Sequence, residues 1–217
     1  MHAIIPSVSV RPDLTLYPSA TAAAAFVIAH GAGAGQKSAW MQRFARGMQS
    51  RSISAATFDF PYVTAGRKVP DRAPVLEACW EGAIEAASDA FPGLPLCIGG
   101  KSMGGRMASH LAARPGAAIA GLILLGYPLH PPGRPDQRRD AHLPRITAPS
   151  LFVQGSRDAF GTADEIRSLL PTIPGASLQE VTNGDHSFKV PGGAAAQQAI
   201  LDEVMDHVAS WILRHGV

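Results

Sequence analysis

The chain has 217 residues, 46% hydrophobic and 17% charged, and its 19 Lys and Arg nearly balance 17 Asp and Glu for a net charge of +2. Global disorder is excluded, because it needs low hydrophobicity and high net charge. A nucleic-acid binder working through a basic surface is disfavoured, since the longest basic run is the pair Arg138-Arg139.

Short apolar runs alternate with stretches of helical period. Ala24 to Ala29 reads as a buried strand, followed at once by His30-Gly31-Ala32-Gly33-Ala34-Gly35. Ser38 to Arg51 carries Trp40, Met41, Phe44, Ala45 and Met48 at helical spacing. Ile53 to Phe60 is a second strand, stopped by Pro61, and Pro74 to Phe91 a long helix ended by Pro92-Gly93. Leu94 to Ile98, Ala120 to Leu125, Ser150 to Gln154 and Ser177 to Val181 complete six strands. Helices are expected from about Ser102 to Arg114, from Ala163 to Leu170 and from Ala194 to His215. Continuously apolar strands separated by helices predict an α/β fold, a mostly parallel sheet with helices on both faces, in one domain over 1–217. The first twenty residues suggest an edge hairpin, against which Pro6 and Pro12 weigh. The 22 Gly and 18 Pro fit many tight turns between compact elements.

Two cysteines, Cys79 and Cys97, cannot build a disulfide framework and read as buried free thiols. The longest uncharged apolar run, Ala20 to Ala29, is too short to span a bilayer, which takes ~20 residues. Pro6, Arg11, Pro12, Asp13 and Pro18 break up the segment where a signal peptide would carry its apolar block. The expectation is a cytoplasmic protein with no membrane and no nucleic-acid partner.

In such sheets the chemistry gathers at the carboxyl ends of strands. Gly100-Lys101-Ser102-Met103-Gly104 lies between a buried strand and a helix and spells G-x-S-x-G. That turn holds Ser102 in a strained conformation with its hydroxyl clear of the sheet, and a side chain at either flanking glycine would collide with backbone. A serine hydroxyl needs a base, and the base needs an orienting acid. Of eight histidines, His186 stands after the last strand with Gly184 permitting the turn. His110 lies two turns along the helix and points away, and His207 and His215 sit on the final helix. His130, at another strand end, is next in line. Asp158 follows the fifth strand in Gln154-Gly155-Ser156-Arg157-Asp158. Asp164 serves a helix start, and Asp185 points opposite to its neighbour His186. The order Ser102, Asp158, His186 suits this architecture. For the oxyanion, one donor is the Met103 amide. The other is assigned to Ala32, with Gly31 and Gly33 as near alternatives. His30 reads as structural, fixing its loop by a hydrogen bond.

From the His30-Gly31 loop through Ser102 and Asp158 to His186, the chain resembles an α/β-hydrolase. Gly126-Tyr127-Pro128-Leu129-His130-Pro131-Pro132-Gly133 and Phe152 to Gly161 resemble a small branch without a cap domain. That branch is related to dienelactone-hydrolase-like enzymes and to animal testis-expressed and chromatin-complex proteins. The resemblance implies a fold and a triad. It supplies no substrate, because the dienelactone hydrolases use a cysteine nucleophile where Ser102 stands.

The connection Gly126 to Pro149 is rich in proline and lacks a long helical pattern, so no lid domain is expected and the site should be shallow and open. Gly31, Tyr127, Leu129 and His130 are candidates to line it. Arg134, Arg138, Arg139 and Arg157 either favour an anionic substrate or lie solvated at the surface. Gly31 to Ser38 approaches a phosphate-binding loop but has Gln36 where Gly must precede Lys, and no G-x-G-x-x-G is completed. No cofactor is expected, and no His/Cys/Asp cluster has metal-ligand spacing. The reading is a serine hydrolase of small esters or thioesters acting through an acyl-serine. The alternative is a binding or scaffold protein that keeps the fold without turnover.

Overall fold

A computed structural model describes residues 11–215. Seven strands form one sheet in the order β1-β3-β2-β4-β5-β6-β7. They are β1 (Leu14–Tyr17), β2 (Ala24–Ala29), β3 (Ile53–Phe58), β4 (Leu96–Lys101), β5 (Gly121–Leu125), β6 (Ser150–Gly155) and β7 (Ala176–Val181). Every neighbouring pair is parallel except β1 with β3. The helices are α1 (Ala39–Gln49), α2 (Pro61–Thr64), α3 (Ala73–Ala90), α4 (Met103–Ala112), α5 (Ala163–Leu169) and α6 (Gly193–His215).

Strand alternation sorts the core into two layers. In β2, Val27 and Ala29 join Ile98, Leu124 and Phe152 under Trp80 of α3 and Met107 of α4. Phe26 and Ile28 join Ile123, Leu125 and Val153 under Phe44 of α1 and Val208 of α6. All six β2 residues are buried, which is why the strand reads as a continuous apolar run. Helix starts follow side-chain chemistry: the Ser38 hydroxyl accepts from Met41 N at the head of α1, and Thr162 and Glu165 form a capping box at α5.

Beyond shifts of one or two residues at several element ends, the structure departs from the sequence reading in three places. β3 stops at Phe58, because Phe60 and Pro61 begin the single turn of α2, which the pattern did not suggest. β4 starts later and runs on through Gly99 and Gly100, which pair with Ile123 and Leu124. The expected N-terminal hairpin is represented by the edge strand β1; its earlier part lies outside the described residues. The connection after β5 carries a 3₁₀ turn, Leu143–Arg145, and no other helix. Among the described residues no helix is long and apolar enough to cross a membrane. Cys79 and Cys97 are free and buried.

Within the first of the two core layers, Trp80 ties two helices to the sheet. Its ring is fully buried and meets Phe58 edge-on at 4.9 Å, and its Nε1–H donates to the Gly104 carbonyl at 3.1 Å. It therefore fixes α4 against α3 and β3. Trp80→Ala should cost about 3–5 kcal/mol in urea unfolding; a loss under ~1 kcal/mol would show that this contact does not hold α4.

Candidate active site

β2 is flanked by β3 on one side and β4 on the other, so the chain order reverses there and leaves a crevice at the carboxyl ends of β2 and β4. Ser102 stands in that crevice with φ 49° and ψ −117°, a conformation that side-chain-bearing residues rarely adopt. Its N–H donates to Leu125 O at 2.9 Å and its carbonyl accepts from Arg106 N at 3.0 Å, which pins the turn on both sides. Gly100 has φ 153°, and a Cβ there would strike the Ala29 carbonyl. A Cβ on Gly104 would lie 2.6 Å from the His30 carbonyl oxygen. The two glycines are thus required by the approach of α4 and β4 to the end of β2.

The Ser102 Oγ lies 2.8 Å from His186 Nε2, and His186 Nδ1 lies 2.8 Å from Asp158 Oδ2. Asp158 is 1% exposed. Its Oδ1 accepts from Phe160 N at 2.8 Å and its Oδ2 from Gln154 Nε2 at 2.9 Å. As a carboxylate, Asp158 requires the proton on His186 Nδ1, which turns the Nε2 lone pair toward Ser102. The His186 loop is shaped by Asp185, whose Oδ1 accepts from Ser187 N and Lys189 N. Asp185 therefore serves the loop rather than the ring.

Two residues behind this chain escaped the sequence reading. Gln154, fully buried at the end of β6, accepts from Tyr127 N at 2.8 Å through Oε1, and its Nε2 faces Asp158, Gly161 O and Tyr127 O. A buried amide four residues before an acid was the available signal. Lys101 donates to the His186 carbonyl at 2.8 Å, with its Nζ 5.3 Å from the Trp40 ring centroid and 5.1 Å from that of Phe188. Burial lowers its pKa to about 8.

A cavity of about 370 Å³ opens onto Ser102 and His186. Ala32 and Met103 line it, and Met103 is the first residue of α4, where helix amides lack intrahelical partners. Asp71, Leu76, Arg106 and Phe160 also line it. A larger cavity, about 790 Å³, lies against Gln36, Asp59 and Cys79 and touches none of the three triad candidates.

The residues expected on the wall from the β5 loop are elsewhere. Gly126, at φ 65°, turns the chain so that Tyr127 and Leu129 enter the core, 1% and 0% exposed. The Tyr127 hydroxyl donates to Arg139 O at 2.6 Å. His130 is buried against Glu165, with Nε2 3.1 Å from Oε1, so it has no path to Ser102 as a substitute base. Pro128 is the wall residue of that segment. Gly31 sits beneath the elbow, where an added Cβ would lie 3.5 Å from Ser102 Cβ, and does not line the cavity. Of the four arginines named from sequence, only Arg139 lines it; Arg138 pairs with Asp140, and Arg157 lines a separate hollow. His30 is fully buried, accepts from Phe60 N at Nε2 and meets Gly31 O through Nδ1, so it acts as a fixed strut. Burial lowers its pKa, which keeps it neutral. His110 is held by Glu77, away from Ser102.

Residues 22–213 match the family described as alpha/beta hydrolase domain. Solved structures share the fold at low identity. A dienelactone hydrolase from Anabaena variabilis has TM-score 0.75 at 20% identity, with 94% of this chain and 92% of that chain covered. Est1E from Butyrivibrio proteoclasticus, solved with ferulic acid bound, has TM-score 0.74 at 13% identity, with 94% of each chain covered. An alpha-beta serine hydrolase homologue from Coxiella burnetii has TM-score 0.71 at 14% identity, covering 91% of this chain and 89% of that one.

The buried Lys101 has a pH signature. Its pKa falls from 10.5 to about 8 on folding. The unfolded chain therefore holds this proton between those values and the folded chain does not, so stability rises with pH across that window. Lys101→Met removes the effect. In denaturant titrations from pH 7.5 to 10.5, wild type should gain stability relative to Lys101→Met. A pH-independent difference would show that the ammonium is not desolvated.

Proposed function

We propose that this chain, which belongs to the alpha/beta hydrolase domain family, is a serine hydrolase of small esters or thioesters. The observation that carries the reading is the unbroken hydrogen-bond chain from Asp158 through His186 to Ser102, at 2.8 Å and 2.8 Å. In this mechanism His186 Nε2 takes the Ser102 proton as Oγ attacks the carbonyl carbon. The oxyanion that forms is received by the Ala32 and Met103 amides, on the cavity wall beside Ser102. Collapse breaks the bond to the leaving oxygen or sulfur, which takes the proton from His186. Water then attacks the acyl-Ser102 carbonyl as His186 accepts its proton, releasing the acid and restoring the serine. Asp158 keeps its charge throughout and stabilises the imidazolium between steps. The two free buried thiols support a cytoplasmic setting. The partner is a small molecule, in keeping with a cavity of about 370 Å³.

A fluorophosphonate probe should label wild type at Ser102 and leave Ser102→Ala unlabelled. Labelling of both would remove Ser102 as nucleophile. His186→Ala should lower 4-nitrophenyl acetate turnover by roughly 10³-fold or more while circular dichroism is unchanged. Wild type that neither labels nor cleaves any short ester would favour a scaffold that keeps the fold without turnover.

Gln154 tests the support behind the acid. Gln154→Leu removes a donor to the buried Asp158 carboxylate and should lower kcat by about tenfold or more, with KM for 4-nitrophenyl acetate little changed. An unchanged kcat would show that Phe160 N alone suffices to hold Asp158.

A further inference from the structure

Arg106 is four residues beyond Ser102 on α4, and its N–H donates to the Ser102 carbonyl at 3.0 Å. Residues at that spacing share a helix face. Arg106 and Ser102 accordingly line the same cavity. Arg139 reaches this wall from the β5–β6 connection, and its Nη1 donates to Pro128 O at 3.3 Å.

The Arg106 guanidinium makes no hydrogen bond to, and no ion pair with, any group among the described residues. Burial lowers its pKa first, and the like charge of Arg139 lowers it next. Nearby acids are already engaged. Glu77 holds His110 and Arg114, Asp140 holds Arg138, and Asp71, another lining residue, pairs with Arg67 through Oδ1 at 2.7 Å while its buried Oδ2 has no hydrogen-bond partner among the described residues. A partly desolvated cation that gains no anion is costly, and a second cation beside it raises the cost. Such an arrangement is stabilised by an anion, and the cavity that Arg106 lines is the one that opens onto Ser102.

We infer that Arg106, with Arg139 beside it, is a carboxylate subsite of the Ser102 cavity, and that the substrate is an ester carrying a free carboxylate. This rests on the hydrolase reading and deepens it. A guanidinium fork receives a planar carboxylate with two parallel hydrogen bonds. Asp71, which also lines the cavity, adds a negative charge that disfavours a more highly charged dianion. Anchoring the carboxylate one helical turn from Ser102 also sets where the scissile carbonyl comes to rest, so the charge contributes position as well as affinity.

The test compares charged and neutral members of two ester pairs in the intact protein. One pair, 4-acetoxybenzoate and its methyl ester, carries the charge on the leaving group. The other, mono-4-nitrophenyl adipate and 4-nitrophenyl hexanoate, carries it on the acyl chain. In wild type, kcat/KM should favour the charged member of at least one pair by about tenfold or more. That ratio should collapse in Arg106→Gln, return in part in Arg106→Lys, and fall as salt is raised from 20 to about 500 mM. Using the ratio within each variant cancels any loss of folded protein. Ratios near one in wild type for both pairs, or a preference that survives Arg106→Gln, would overturn the subsite and leave the hydrolase reading intact. Absence of turnover on all four esters together with absence of fluorophosphonate labelling would overturn both.

Discussion

The approach of β4 to its two neighbours is the constraint from which the crevice follows. At Gly99 and Gly100 the strand passes so close to Ile123 and Ala29 that neither position has room for a Cβ. This closeness carries the chain from β4 into α4 in a single residue, and that residue is Ser102 at positive φ. A strained serine persists only if its surroundings over-determine it. Here Leu125 O holds its amide, Arg106 N holds its carbonyl, and Trp80 clamps the first turn of the helix behind it. The cost of the turn is thereby spread over β2, β5, α3 and α4.

The chemistry at this edge is arranged in depth. His186 faces Ser102, Asp158 faces His186, and Gln154 faces Asp158. Each member is more buried than the one before it, from a half-buried ring to an amide with no exposure. Lys101 works from the other side of the ring, gripping the His186 carbonyl rather than the imidazole. The imidazole is therefore located twice, through its own nitrogen and through its main chain.

The fold and the three residues of the chain were legible because they depend on local signals. A buried strand shows as a run of apolar residues, and an elbow shows as Gly100-Lys101-Ser102-Met103-Gly104, since both glycines answer to backbone contacts that nothing else can satisfy. The wall was harder to read. Tyr127 and Leu129 stand at a strand end and were natural lining candidates, yet Gly126 at φ 65° rotates them into the core. No residue type reveals which way a turn of that kind will send the next side chain. Arg106 was within reach of the helical period, four residues from Ser102, but the elbow motif draws attention to the glycines around that serine. Gln154 was hidden for the opposite reason: a polar residue inside an apolar strand reads as tolerated rather than employed, and its use depends on Tyr127 and Gly161, 27 residues before it and 7 after.

Both cysteines lie inside the layers that hold the sheet, Cys79 on α3 and Cys97 on β4, 2% and 0% exposed. Burial pushes each thiol up to about 12, so neither forms an appreciable thiolate at neutral pH. Oxidants and thiol-directed electrophiles act on exposed thiolates, and this chain offers none. In the folded chain neither cysteine therefore presents a thiolate for thiol chemistry. The cysteine sulfur is sealed in the core layers, while the Ser102–His186–Asp158 hydrogen-bond chain stands at the sheet edge, so scaffold and crevice rest on separate chemistries.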